Sequence, residues 1–358
     1  MAFNGQLNSN EIFSALYNMI ISVQAFGDNI AGTYETLADK FRVDGGMYGD
    51  TKLYVATDAL KSAPWGNDAE STNLLATHRP PEPKTQAVEL DTFRQISLTV
   101  DNYLSKRAWG TEGAFAQFNN VLMGWIGDTK RIYDSTMVNT YVGTAQSSIG
   151  KQTQTIQVTA GATEEETNKL VATEAAKKLA DILVELADVT RDYNDYGFIR
   201  SYKPEDLMVI WNSEVYNAVT KLGEPLLFHK DGLFDKVEKH VLPGRYFGTV
   251  NGAGGTAPSA NGTVRALVEK DFGGKHCYPG DLLPAGASYQ ANETYTVAGD
   301  IAFKVVHKNS IPFMSAFEVG TSFFNAKSLT ENHYLTFGHN TLEYLKNYPM
   351  ITVTYEEE

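Results

Sequence analysis

Five stretches carry residue types at spacings that catalysis or ligand binding uses. "GAGGTA" (Gly252–Ala257) fits the glycine fingerprint of dinucleotide sites, with alanine in the last place. That fingerprint works only where a helix opens on its final glycine and presents backbone amides to a pyrophosphate. The following "PSANGT" will not open a helix, so the stretch reads as a flexible linker. "GTAQSSIGKQ" ends in Gly150-Lys151, but the gap from Gly143 is too long for a phosphate loop, and Gln152 stands where Ser or Thr must hold magnesium. The seven histidines (78, 229, 240, 276, 307, 333, 339) show no HExxH spacing. His333 and His339 share strand parity, yet two imidazoles without further ligands do not make a metal centre. His276 and Cys277 are adjacent and would point to opposite faces of a strand. Asp192 and Asp195 could pair as acid and base, but a solvated corner at a helix end explains them as well. No catalytic, cofactor-binding or metal residue is therefore expected, and the chain is not read as an enzyme.

The totals narrow the class. At 358 residues the chain exceeds the usual limit of one hydrophobic core. A net charge of −13 argues against a nucleic-acid clamp, which needs a basic face. The single cysteine, Cys277, excludes an internal disulfide framework and a cysteine-rich zinc site. The opening "MAFNGQLNSNEIF" lacks a basic region followed by an apolar core, so no secretory signal is expected. Apolar runs are far shorter than the roughly 20 residues a membrane helix needs, and no membrane partner is expected.

The elements that would position any site follow from periodicity. An amphipathic helix is predicted near Asn10–Gln24, with a glycine-rich break at Arg42–Asp50. "TKLYVATDAL" and "AVELDTFRQISLTVD" read as strands, joined by a long proline-bearing run, Lys61–Thr85. Phe93 falls out of phase with Val88, Leu90, Ile96, Leu98 and Val100, which predicts a twist or bulge midway. Thr111–Tyr141 changes to helical period, with Phe115, Phe118, Leu122, Trp125, Ile132 and Val138 on its apolar stripe and Val121 and Tyr133 widening it. Thr163 and Glu166 form a capping-box pattern ahead of a stripe through Leu179, Ile182, Leu183, Leu186 and Val189. Leu207–Trp211 reads as a strand buried on both faces, running into a helix capped by Asn212/Ser213 and stopped by Gly223. The last third is strand-rich.

Three stretches carry a resemblance: "LTVDNYLSKRAWGTEGAFAQFNNVLMGWIGDTKRIYDSTMV", "LMVIWNSEVYNAVTKLGEP" and "IPFMSAFEVGTSFFNAKSLTENHYLTFGHNTLEYLKNYPMITV". In this order they resemble the spine helix, axial strand–helix unit and closing peripheral strands of the major capsid proteins of tailed double-stranded-DNA phages. That fold is shared with encapsulins and the herpesvirus capsid floor. The resemblance implies an α+β fold. It divides the chain into an N-terminal arm (1–45), an extended two-stranded loop (46–101), a peripheral domain with the spine helix (102–160) and an axial domain (161–262). A β-rich insertion or elaborated loop (263–311) and closing peripheral strands (312–358) follow. It implies that the extended loop lies on a neighbouring subunit through Leu53, Val55, Trp65, Leu74, Leu75, Arg79, Leu90, Ile96 and Leu98. Leu53, Val55, Leu90, Ile96 and Leu98 are expected on one apolar side. Gly45, Gly46, Gly124 and Gly127 are the expected hinges.

The implied function is self-assembly into pentamers and hexamers of an icosahedral head that encloses double-stranded DNA without reading its sequence. Portal and scaffolding proteins are the implied partners, with assembly in the host cytoplasm and residence in the virion. A fused, cleaved scaffold is not expected, since the arm is short. Two alternatives stay open at this point: an encapsulin-type shell around a cargo enzyme, and a tail-associated carbohydrate-binding β protein. The second explains the aromatic last third but neither the long helix nor the extended loop.

Overall fold

The computed structural model describes residues 37–43, 51–62, 77, 79–101, 112–161, 163–222, 237–251, 270–272, 275–277, 294–297 and 300–357. In chain order these form α1 (Leu37–Phe41), β1 (Arg42–Val43), β2 (Thr51–Ala56), β3 (Lys84–Asp101) and α2 (Glu112–Thr144). Then come β4 (Thr153–Val158), α3 (Glu164–Ala187), β5 (Leu207–Asn212), α4 (Ser213–Leu222) and β6 (Glu238–Leu242). β7 (Gly248–Asn251), β8 (Lys270–Phe272), β9 (Lys275–Cys277) and β10 (Thr294–Val297) follow. β11 (Ile301–His307), β12 (Phe313–Asn325), β13 (Thr330–Asn340) and β14 (Met350–Glu357) complete the order. The helix predicted at Asn10–Gln24, the segment Gly252–Ala257 and the Gly223 stop lie outside the described residues.

The chain divides into two compact units. One comprises Met1–Asp50, Leu90–Thr136 and Phe313–Asn340; the other Thr51–Glu89, Met137–Pro312 and Thr341–Glu358. The second unit is built on a mixed sheet in the order β4-β14-β11-β5-β6. β14 runs antiparallel to β11 and β11 antiparallel to β5, while β4 and β6 join as parallel edges. Every residue of β5 and β11 is buried. This is the both-faces-covered pattern that an all-apolar strand encodes. Trp211 on β5 packs against Phe303 on β11 at 4.8 Å between ring centroids. α3 starts where local chemistry says it should: the Thr163 side chain accepts the Glu166 N–H at 3.3 Å. Its buried stripe runs through Val171, Ala175, Leu179, Ile182, Leu183 and Leu186 into the same core, whereas Val189, expected on that stripe, lies past the helix end and is well exposed. Asn212 caps α4 by accepting the Glu214 N–H, and donates its amide to the Ile301 carbonyl.

In the first unit β12 and β13 form a hairpin, β1 joins β12 at Phe313–Met314, and residues 92–101 of β3 pair antiparallel with 330–339 of β13. The predicted bulge is present: the register slips between His339 and Asn340, opposite Leu90–Thr92. Phe93 lies directly across from Gly338, and a Cβ at Gly338 would stand 2.8 Å from the Phe93 ring. A glycine there leaves room for the ring to lie over the partner strand. α2 is continuous through Gly124 and Gly127, and a Cβ at either would meet nothing within 4 Å.

Several expectations are corrected. β11 lies inside the predicted insertion (263–311), yet it is a central, wholly buried strand of the second unit's sheet. The excursion is bounded instead by the ribbon β7–β10, in which Asn251 faces Thr294 and Gly248 faces Val297. β4 and β14 share that sheet, so the boundary at 160/161 and the grouping of 312–358 as one set of closing strands do not hold. The predicted stripe of α2 holds at Val138 and Tyr133, which are buried, and in part at Ile132, but not at Trp125. Trp125 is 42% exposed, whereas Ile126, Lys130, Tyr133, Asp134, Met137, Val138, Tyr141 and Val142 are buried. Two charged residues in the buried row hid it from a hydropathy pattern.

Candidate assembly surface

In the second unit β2 pairs with the first part of β3, Thr51 facing Glu89 and Ala56 facing Lys84. Directly opposed residues of an antiparallel pair point to the same face. Leu53 therefore shares a face with Ala87 and Val55 with Thr85, and both are well exposed, at 63% and 59%. The other face carries Val88, buried, opposite Lys52. The predicted single apolar side is thus wrong in register. Leu90 continues the parity of Val88 and is buried, and Ile96 and Leu98 on the same parity are half-buried. Only Leu53 and Val55 of that set face water. Arg79 is exposed; Trp65, Leu74 and Leu75 lie outside the described residues, as do Gly45 and Gly46.

Two polar anchors hold the base of this hairpin. The Gln86 amide donates to the Tyr344 carbonyl at 3.0 Å and accepts the Lys346 N–H at 3.1 Å. Just past β2, the Asp58 carboxylate accepts the N–H groups of Ile199 and Ala59, both at 2.9 Å, and the Arg191 guanidinium at 2.8 Å. The Ile199 N–H and then Arg191 hold its carboxyl down at about 2. Arg200 donates to the Thr57 carbonyl at 2.7 Å. The hairpin thus has a fixed root and a face turned to solvent.

Asp195, expected at a solvated corner, is instead the hub of a partly buried network. It accepts from the Ser147 hydroxyl and the Gln152 amide, both at 2.7 Å, and from the Tyr344 phenol. Burial first, then Asp195, pushes the Tyr344 phenol up. Gln152, fully buried, also accepts the Met350 N–H. Gly150 takes a left-handed φ of 64°, and a Cβ there would meet the Asp192 carbonyl at 2.2 Å. Lys151 pairs with Glu185 and Asp192. The Gly-Lys pair is thus a tight structural turn.

In the first unit the exposed apolar groups cluster on β12. Phe323 and Phe324 are adjacent in the strand, point to opposite sheet faces, and are 64% and 50% exposed. Val319, on the same face as Phe323, is also exposed. The sequence placed this strand but not its exposure, because two consecutive phenylalanines read equally well as core. Beneath the sheet, His339 is buried and donates Nδ1–H to the Asn340 carbonyl. Its Nε2, the free lone pair of that tautomer, accepts the Tyr133 phenol at 2.9 Å. Burial pulls the imidazole down, so it is a packed neutral histidine. His333 stands apart from it on the same strand, beside Glu331. Lys130, Asp134, Glu318 and Arg42 form a charged cluster there, and burial pushes the Asp134 carboxyl up. Among the described residues no group of His, Cys, Asp and Glu is placed to hold a metal, and no helix is long and apolar enough to cross a membrane.

Comparison with known proteins places this arrangement. The family model described as "Phi29-like phage major capsid protein" matches residues 3–354. The fold is similar to a chain in the capsid structure of Staphylococcus phage Andhra, with a TM-score of 0.57 at 12% identity, covering 88% of this chain and 83% of that one. It is also similar to a chain in a structure of native bacteriophage P68 that describes its head fiber and inner core protein. There the TM-score is 0.57 at 13% identity, with coverages of 87% and 82%. A third likeness is to the capsid of cyanophage P-SCSP1u, with a TM-score of 0.51 at 11% identity and coverages of 100% and 93%. No curated protein sequence matches.

Proposed function

The chain belongs to the Phi29-like phage major capsid protein family, and from that premise we propose that its copies join as pentamers and hexamers of an icosahedral head around double-stranded DNA. Its role is structural: many copies build the shell of the virion. The contacts we assign to assembly are Leu53 and Val55 on the rooted hairpin, Arg79 with Trp65, Leu74 and Leu75 in the connecting arm, and Phe323 and Phe324 on β12. Leu90, Ile96 and Leu98 are removed from that set, since their own chain covers them in full or in part. The observation that carries the reading is the exposure of Leu53 and Val55 on paired strands whose base is pinned by Gln86 and Asp58. Such a surface is stable in shape before it is covered, so little ordering entropy opposes its burial.

Shells add many modest interfaces, each of which need not be strong alone. Gly124 and Gly127, with Gly45 and Gly46, supply backbone freedom for differing local environments. The open space around the two helical glycines supports that use. A net charge of −13 suits a wall that encloses DNA without gripping it. Portal and scaffolding proteins complete the proposed partners, with assembly in the host cytoplasm.

The test is electron microscopy of the purified chain beside a Leu53→Lys, Val55→Lys double variant. Closed shells or capsomer rings from the wild type, and dispersed but folded subunits from the variant, are expected. Intact shells from the variant would remove the hairpin face from the assembly surface.

A further inference from the structure

Lys304 is fully buried on β11, in the middle of the second unit's sheet. Its neighbours in register are Ile210 on β5 and Thr352 on β14. Its Nζ donates to the carbonyl of Ala145 at 2.6 Å. Ala145 is the residue after α2, itself buried and still in helical hydrogen bonding, its N–H donating to the Tyr141 carbonyl at 2.8 Å. A helix end carries partial negative charge on its last carbonyls and favours a cation there. α2 has no basic residue in its last turn. The donor at this end comes instead from a strand 159 positions further along the chain.

We propose that Lys304 is a proton-linked latch between the end of the long helix and the central sheet: it holds the helix terminus when closed, and opening of that contact takes up a proton. The inference is independent of the assembly reading. A lysine at a helix end on the surface would cost nothing to keep. Here an amine is held away from water with a single carbonyl as its partner among the described residues, an arrangement that a methionine of similar volume would make more stable. The hydroxyl of Thr352, directly across from it, is buried and finds no hydrogen-bond partner among the described residues. Of the elements packed around the amine, β5 carries no titratable side chain. α2 brings Tyr141 at this end, and β14 brings Tyr355, Glu356 and Glu357. None of them acts on Lys304; burial alone lowers its amine to about 7. Tyr141 is pushed well up by its own burial and stays neutral.

The sign follows from linkage. In an opened state the amine returns to water and to its ordinary value near 10.5. Between about pH 7 and that value the open state binds more protons, so lowering the pH favours opening. Below about 7 both states are charged and the dependence ends.

Hydrogen exchange read by mass spectrometry on the full chain between pH 7 and 9, corrected for intrinsic exchange, tests this. Protection in peptides covering 137–147 and 300–308 should fall by up to about tenfold for each unit that the pH is lowered. In Lys304→Met the same peptides should show no such slope; Lys304→Leu serves if the methionine variant does not fold. The proposal is overturned by a flat wild-type profile, or by the same slope in the variant. It is equally overturned by a slope spread evenly over the whole unit, α3 included, which would mean that the lysine is exposed only by global unfolding.

Discussion

β5 and β12 are both strands of five-stranded sheets, yet they were built for different ends. All six residues of β5 are buried, its tryptophan packed on Phe303, with α4 running straight on from it. β12 puts neighbouring phenylalanines into water on opposite faces of its sheet. A strand of the first kind completes its hydrophobic burial by folding. One of the second kind leaves apolar area open on both sides, and only something arriving from outside the described residues can cover it. The same contrast separates β11 from β2: a wholly buried strand against one whose Leu53 and Val55 stand in solvent while its root is fastened. On the proposed reading the first kind carries subunit stability and the second carries association.

Substitutions should separate the two kinds, beginning with the largest loss of stability. Trp211→Ala empties a fully buried site against Phe303 and Tyr216, and should cost about 3–5 kcal/mol in urea unfolding. A loss under about 1 kcal/mol would mean that β5 is not the core it looks to be. Gly150→Ala puts a Cβ into the Asp192 carbonyl at a left-handed residue, and should cost more than about 1 kcal/mol in the same measurement.

Asp58 tests the root. Its carboxyl is held at about 2, below the ordinary 3.8, so the stability it lends is complete above about pH 4 and is lost as pH falls toward 2. Pepsin should therefore nick the chain near residues 57–62 faster as the pH drops through that window. Asp58→Asn should nick fast throughout, with little pH dependence of its own; a wild type as insensitive as the variant would show that Gln86 and Arg200 are sufficient. The smallest stability effect is expected from Phe323→Ser with Phe324→Ser. Urea unfolding should move by no more than about 0.5 kcal/mol for each, while shell formation fails. A large stability loss would mean that the two rings belong to the subunit's own core.

What could be read in advance was whatever neighbouring residues decide among themselves. The Thr163 cap and the stripe of α3 lie within one turn or a few turns of each other, and the structure has both. The apolar run of β5 followed by Asn212 is likewise a local pattern, and it became a buried strand feeding a capped helix. The fold class and the capsid resemblance rested on the order of such elements, and the family match agrees with them. The candidate surface was legible only in part: Leu53 and Val55 are exposed as expected, but the remaining members of that apolar side are not.

The failures share one cause, contacts between residues far apart in sequence. Which face Leu53 shares depends on its pairing with Ala87, and a one-residue change of register would have reversed it. β11 looked like insertion because the excursion begins at Asn251, and only the pairing of Asn251 with Thr294 shows where the chain returns. Asp195 gathers Ser147 and Gln152 from one distant segment and Tyr344 from another, so no spacing rule could foresee it. The sequence alone determined where helices and strands start, because caps, glycines and apolar periods act through the nearest residues. Only the tertiary structure decided what each strand lies against, and that Lys304 closes the end of a helix 159 residues before it. Those choices are made by the hydrophobic and polar partners that remain once the chain has closed on itself, and these are not neighbours until it has folded.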